Sequence, residues 1–419
     1  MKNRKHKSDL AILFTTLGLM GVGLIVIYAI GPMRANILNS TYGADYDAQF
    51  FFRGQLKSVA VALVAFFVAF KVVPYSFLKK YAKWIMILAI LMSLSLSILA
   101  TMGSSLAKCE LGECRWFNFG GLSFQPAEFL KIAMVIYLAD FLARKKEEGT
   151  IGTGEFWWPL ILVCGASLGL VVVGQGDLGT GVALMAIIFG MLLVAGVPMR
   201  QYLIMLAVVL VVGVGAIATS DHRMERINAW FDTLSGAEMT DSTRHIENAM
   251  LAIGIGGFFG AGIGNSIQAT GYLPESINDS VFAIMGETFG FFGLFIVVMV
   301  FAMLLFRMLK VAEGTVEDDS RLVVVGVFSW MLAQVAVNIM AMTGLVPVTG
   351  ITLPLLSYGG TSMMFVAFAI GLVLQISCYT SREGIKHEDI SSRRGERGAH
   401  YSSRRGGTGN TGRKTTRGN

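Results

Sequence analysis

A few side chains stand where ionisable groups are costly, and these are the ones whose types and spacing could do chemistry. Glu128 and Lys131 lie in one long apolar stretch, Glu287 lies in another, and Asp279 stands just ahead of that second stretch. A charge held in hydrocarbon marks a pathway, a reactive site or an ion pair. Asp140, with Arg144 four residues on, reads as a plain helix pair and is set aside. Glu128 and Lys131 are three apart and share a helix face, so an intrahelical pair is one reading of them. A second reading comes from the segment that leads in, Phe124-Gln125-Pro126-Ala127-Glu128. Proline suits a first helical turn, and a helix N-terminus offers free N–H groups and positive partial charge to a phosphate. Lys131 lies about 9 Å below Gln125 at helical rise, within snorkelling reach of the surface. Arg115, in Arg-Trp-Phe-Asn-Phe-Gly-Gly, supplies a second cation.

Glu275, Asp279 and Glu287 are spaced by four and then eight residues, which places all three on one face of a continuous helix. Asp279 by itself also suits the N-cap of the following helix. Asp177, in a very short turn between two apolar stretches, either lines the same cavity or caps the helix after it. A carboxylate base beside a phosphate-binding helix end suits group transfer from a lipid diphosphate.

The elements that must position these groups are membrane spans. The 419 residues are 54% hydrophobic and 15% charged, with a mean hydropathy of +0.63. That mix excludes an ordinary soluble domain. Apolar stretches of about twenty residues recur along the chain, long enough for helices and too long for barrel strands. The spans fall near 9–30, 55–73, 84–101, 126–143, 157–174, 177–196, 201–219, 281–306, 322–344 and 357–380. The expected fold is therefore an all-α polytopic membrane protein of about ten transmembrane helices, with a large extracytoplasmic loop, 220–280, between helices 7 and 8. An even number of spans returns both termini to one side. Most of the 34 Lys and Arg fall in segments on the side of the N-terminus, which makes that side cytoplasmic. The first span lacks a clean small-x-small cleavage site and reads as a retained anchor.

The expected organisation is a cytoplasmic N-terminus at 1–8, a transmembrane domain at 9–382, and a disordered basic cytoplasmic tail at 383–419. The tail and the net charge of +6 point to anionic lipid headgroups, and nucleic acid is not expected as a partner. Within the large loop, the glycine-rich run from Asn248 to Gly264 reads as a short re-entrant or surface-lying element. Cys164 and Cys378 are packing residues, whereas Cys109 and Cys114 form either a disulfide-closed hairpin or two free thiols.

Four separated motifs, Phe124-Gln-Pro-Ala-Glu-Phe-Leu-Lys131, Gln175-Gly-Asp-Leu-Gly-Thr180, Leu273-Pro-Glu-Ser-Ile-Asn-Asp-Ser-Val-Phe-Ala-Ile-Met-Gly-Glu287 and Leu353-Pro-Leu-Leu-Ser-Tyr-Gly-Gly-Thr-Ser362, resemble those of the SEDS family of FtsW, RodA and SpoVE. The resemblance covers about 10–380. It implies a peptidoglycan glycosyltransferase that polymerises lipid II at the outer face of the bacterial cytoplasmic membrane. It places the family's essential aspartate on Asp279 and its Gln-Pro-Ser-Glu-type motif on Gln125, Pro126, Glu128 and Lys131; with Arg115, Asp177, Glu275 and Glu287, read from their charge and spacing, Gln125, Glu128 and Lys131 make the expected substrate-binding set. It also implies a growing glycan strand as acceptor, and a class B penicillin-binding protein with other division proteins as partners. No cofactor is required by the motifs, and a divalent cation such as Mg2+ is an optional source of charge. Ser276 after Leu-Pro-Glu leans the chain toward FtsW and a septal role. Asn248-Ala249 and Ala127 depart from the family's usual Gln-Ser and Ser. Two competing functions are a lipid II flippase or transporter and a non-enzymatic scaffold of the division machinery.

Overall fold

The computed structural model describes residues 7–110, 113–120, 122–218, 220–236, 240 and 243–380. The tail expected at 383–419 and the basic residues Lys2, Arg4 and Lys5 lie outside them.

In chain order the helices are α1 (Leu10–Tyr42), α2 (Phe50–Phe67), α3 (Tyr75–Lys80), α4 (Ala82–Thr101), α5 (Pro126–Glu147), α6 (Gly154–Gly169), α7 (Leu178–Ala195), α8 (Met199–Ala218), α9 (Asp221–Ser235), α10 (Arg244–Gly256), α11 (Val281–Gly314), α12 (Asp318–Met342) and α13 (Gly360–Ser377). Among the described residues, nine helices are long and apolar enough to cross a membrane. The remaining expected span is α5, which Glu128, Lys131 and Asp140 make too charged to count by composition alone. Its charges are tolerated because α5 lies inside the bundle, packed against α4, α7, α12 and α13. At the other extreme, α8 buries none of its residues.

Asp9 caps α1, and its backbone N–H donates to Ser377 Oγ at 3.1 Å, so the two ends of the described chain meet at one end of the bundle. The first residues of α13 lie at the opposite end, and the chemistry gathers there.

Two helices are broken; a buried polar side chain mends one break and a stretch of backbone mends the other. α2 passes into a π-helical turn, Val68–Val72, ahead of Pro74. Gln375 of α13 satisfies the released backbone: its Nε2 donates to Ala69 O and Val73 O at 2.9 Å each, and its Oε1 accepts from Tyr75 N at 2.8 Å. The second break is at Gly290 in α11, where φ is +67°. A Cβ on Gly290 would stand 2.4 Å from Gly260 N, so backbone can approach only because there is no side chain. The carbonyls of Glu287 and Thr288 accept from Ala261 N and Gly262 N, and Phe291 N and Phe292 N donate to Gly257 O and Phe258 O. In a membrane such groups must be paired inside the protein.

The 220–280 loop is helical over α9 and α10, and a 3-10 turn at Gln268–Thr270 follows on the way to α11. The glycine-rich run after Asn248 is the end of α10 and the backbone splint of α11, with Gly256 tight against Gly286. The first span also extends well past its expected end, through Pro32 to Tyr42.

Between α4 and α5 lies a three-stranded antiparallel sheet, β1 (Ala107–Glu110), β2 (Glu113–Phe119) and β3 (Leu122–Phe124). Cys109 pairs with Cys114 across β1 and β2, and the two are joined as a disulfide, which selects the hairpin reading of these thiols. Cys164 and Cys378 are buried.

Candidate active site

A cleft of about 340 Å3 opens where the N-terminal ends of α5, α7, α11 and α13 converge beneath the β-hairpin and α9. Such a volume suits a small-molecule or headgroup site. Its wall includes Glu113, Arg115, Gln125, Glu128, Asp177, Thr180, Arg226, Glu275, Asp279, Gln334 and Tyr358 to Ser362.

Asp279 sits in the turn that enters α11. Three backbone carbonyls of that turn are held, two of them from other parts of the chain. Asn338 Nδ2 of α12 donates to Asp279 O and to Ile351 O, both at 2.7 Å. Tyr358 N donates to Ile277 O at 2.8 Å. Ser280 Oγ donates to Pro274 O at 2.9 Å and lies 2.8 Å from His245 Nε2 of α10, so the histidine must be the donor there. Burial, with Arg226 nearby, lowers the His245 pKa to about 4, which keeps the ring neutral and consistent with that role. Glu275 holds a left-handed φ of +47° at the start of the turn, and Asn278 Nδ2 donates to its carboxylate.

The Asp279 side chain is only 7% exposed, and its Oδ1 has no hydrogen-bond partner. Burial raises its pKa to about 7, with the Glu275 charge adding to the rise, while its own and Ser280's backbone N–H groups and Arg226 oppose it. Desolvation therefore outweighs the neighbouring cation and leaves a carboxylate with the basicity a proton acceptor needs near neutral pH.

The other sequence-predicted residues divide. Gln125, Glu128, Asp177, Arg115 and Glu275 all reach the cleft. Asp177 does both things its position allows: it caps α7 by accepting from Thr180 N at 2.9 Å, and it accepts from Gln125 Nε2 at 3.2 Å in the cleft wall. Arg115 is bound to Glu113 and to Gly176 O, and its Nε is buried without a partner. Lys131 is not in the lining. It is fully buried, bonded to Glu128 Oε1 at 2.7 Å and set over the Trp330 ring at 4.6 Å, so the intrahelical pair describes it. Burial inside α5 directs its ammonium to the nearest carboxylate rather than to the surface.

Glu287 is likewise absent from the cleft. The helix begins only at Val281, so Glu275, Asp279 and Glu287 do not share one continuous helical face. Glu287 accepts from Ile267 N at 2.7 Å, Ser266 Oγ at 2.5 Å and Gln268 N at 3.2 Å, and so anchors the splinting loop. Nor is Asp279 the cap of α11: Ser280 holds that position, without a side-chain cap bond.

Sequence reasoning missed Arg226, Gln334, Asn338 and His245. Gln334 and Asn338, one turn apart in an apolar span, carried a signal that a search for ionisable residues passes over. Arg226 carried none, because only the path of α9 brings it to the cleft. Among the described residues, no three His, Cys, Asp or Glu side chains are grouped as metal ligands.

A bundle of membrane helices that turns a buried, basic carboxylate into a polar cleft at one end defines a polytopic membrane enzyme. Residues 10–382 match the cell cycle protein family of FtsW, RodA and SpoVE, and the chain belongs to that family. It is 34% identical to stage V sporulation protein E of Bacillus subtilis, over 91% of this chain and 100% of that one. It is 31% identical to the probable peptidoglycan glycosyltransferase FtsW of Saccharophagus degradans, over 90% of this chain and 94% of the relative. Among solved structures, one of a peptidoglycan synthase complex superposes with a TM-score of 0.68 at 22% identity, covering 88% of this chain and 97% of that one. The rod shape determining protein RodA of Thermus thermophilus superposes with a TM-score of 0.60 at 23% identity, covering 89% and 98%.

Proposed function

We propose that this peptidoglycan glycosyltransferase polymerises lipid II, with Asp279 as its general base. The observation that carries the reading is the unpartnered Asp279 Oδ1, buried in the cleft with a pKa of about 7. In a single displacement, Asp279 takes the proton of the acceptor sugar's 4-hydroxyl. That oxygen forms a bond to the donor's anomeric carbon, and the bond from that carbon to the diphosphate breaks. The electron pair leaves on undecaprenyl diphosphate, and an α-linked donor becomes a β-linked chain. The leaving group needs charge stabilisation more than protonation. Arg115 and Arg226 line the cleft, as does the start of α13, whose N-terminus has no side-chain cap. Lys131 acts one step back by holding Glu128.

The basic residues expected on the side of the termini support a cleft on the outer face of the cytoplasmic membrane. A class B penicillin-binding protein as partner is supported by the similarity to a peptidoglycan synthase complex. The septal role is supported by Ser276 and by the relatives named FtsW, whereas the 34% identity to a sporulation protein makes that role a matter for depletion and localisation in cells.

The test uses the purified full chain with its partner. Asp279→Asn is expected to lower polymerisation of lipid II by about 10²- to 10⁴-fold, the range of a general base, while the thermal midpoint in detergent stays within a few degrees. Near-normal glycan from that variant would sink the assignment. Transport of labelled lipid II across vesicles, without polymer, would replace it with a flippase.

A further inference from the structure

Four buried atoms in the cleft wall have no hydrogen-bond partner: Arg115 Nε, Glu128 Oε2, Asp279 Oδ1 and Gln334 Oε1. Three of the four are acceptors. Buried acceptors are rarely left unpaired, so a wall that keeps three of them is set to receive a ligand that brings donors. The charge on this wall suits neutral donors. Lys131 already balances Glu128 at 2.7 Å, and Gln334 is an uncharged amide that is 5% exposed. α5 and α12 pack side by side, and each contributes one of these two residues to the cleft wall. Asn338, one turn beyond Gln334, lies outside the lining and spends its amide N–H groups on backbone carbonyls, while its Oδ1, buried without a partner like Gln334 Oε1, is away from the cleft. Polar side chains on α12 are thus divided between holding the Asp279 turn and facing the ligand.

We propose that Gln334, together with Glu128, reads the N–H and O–H donors of an amino sugar in the cleft, which makes Gln334 a specificity-determining residue. The inference rests on the lipid II reading, and it supplies what Asp279 lacks, a means of recognising the sugar apart from its reacting hydroxyl. A hydrogen bond to a sugar confers selectivity because an analogue without the donor leaves the buried acceptor unpaired.

The experiment measures the affinity of the full chain for lipid II in the Asp279→Asn background, where turnover is blocked. Gln334→Met removes the acceptor at similar volume and is expected to weaken binding roughly tenfold, the effect of one lost hydrogen bond, with the thermal midpoint unchanged. Gln334→Asn withdraws the oxygen by one methylene and carries the same expectation, which keeps the test usable if the Met variant misfolds. Lipid II analogues with one acetamido N–H or one hydroxyl replaced identify the donor. For the right analogue, wild type and Gln334→Met are expected to bind equally. Unchanged affinity in both Gln334 variants overturns the inference, as does full additivity with every analogue. Continued polymerisation by Asp279→Asn would instead overturn the base assignment, so the two failures are distinct.

Discussion

Asp279 and Glu287 are buried carboxylates on one stretch of chain, 7% and 0% exposed, and they have opposite hydrogen-bonding fates. Glu287 has both oxygens occupied by donors from Ser266 to Gln268, and it stitches a loop to a broken helix. Asp279 lines a cleft and keeps one buried oxygen without a partner, while the turn around it is held by Asn338, Tyr358 and His245. Burial of a charged residue is therefore a poor guide to function on its own. The informative pair of observations is whether the buried group has been satisfied and whether it lines a cleft, because a satisfied group builds structure and an unsatisfied one beside a cleft can meet a ligand. Gln375 and Gln334 repeat the contrast in uncharged form, one spent on the α2 break and the other unpartnered in the cleft wall.

Substitutions on the satisfied side should move stability, and those on the open side should move rate. The largest stability effect is expected at Gly290, where alanine must adopt φ +67° and meet Gly260 N. Gly290→Ala should cost about 3 kcal/mol, seen as a lowered thermal midpoint in detergent. A normal midpoint would mean that the splint is dispensable. Glu287→Gln weakens a charge-assisted set of bonds and should cost about 2 kcal/mol, while polymerisation per folded molecule stays within about twofold of wild type. A Glu287→Gln protein that is stable but inactive would break the comparison.

On the open side, the base must be ionised to work. With a pKa of about 7, the polymerisation rate should fall about tenfold per pH unit below that value and level off above it. A rate flat from pH 5 to 8 would show that Asp279 is not the titrating base. The smallest effect sharpens the same point. Because the Glu275 charge helps to raise the Asp279 pKa, Glu275→Gln should move the acid limb of the profile to lower pH. A shift to higher pH would mean that Glu275 acts through the turn rather than through its charge.

How much of this was legible beforehand depends on how far apart the interacting residues are in the chain. The spans were legible because the free energy of crossing a membrane is set by a local window of side chains, and the observed helices begin or end within a few residues of most expected bounds. The special standing of Asp279, Glu128, Lys131 and Glu287 was legible too, because a charge beside or within an apolar run is anomalous wherever the run folds. Only the tertiary structure decided what each charge does. Lys131 turned inward to Glu128, Glu287 was claimed by a loop, and Arg226, Gln334 and His245 reached the Asp279 region from separate elements. Membrane insertion is settled segment by segment along the chain, whereas hydrogen-bond satisfaction is settled in space among segments hundreds of residues apart.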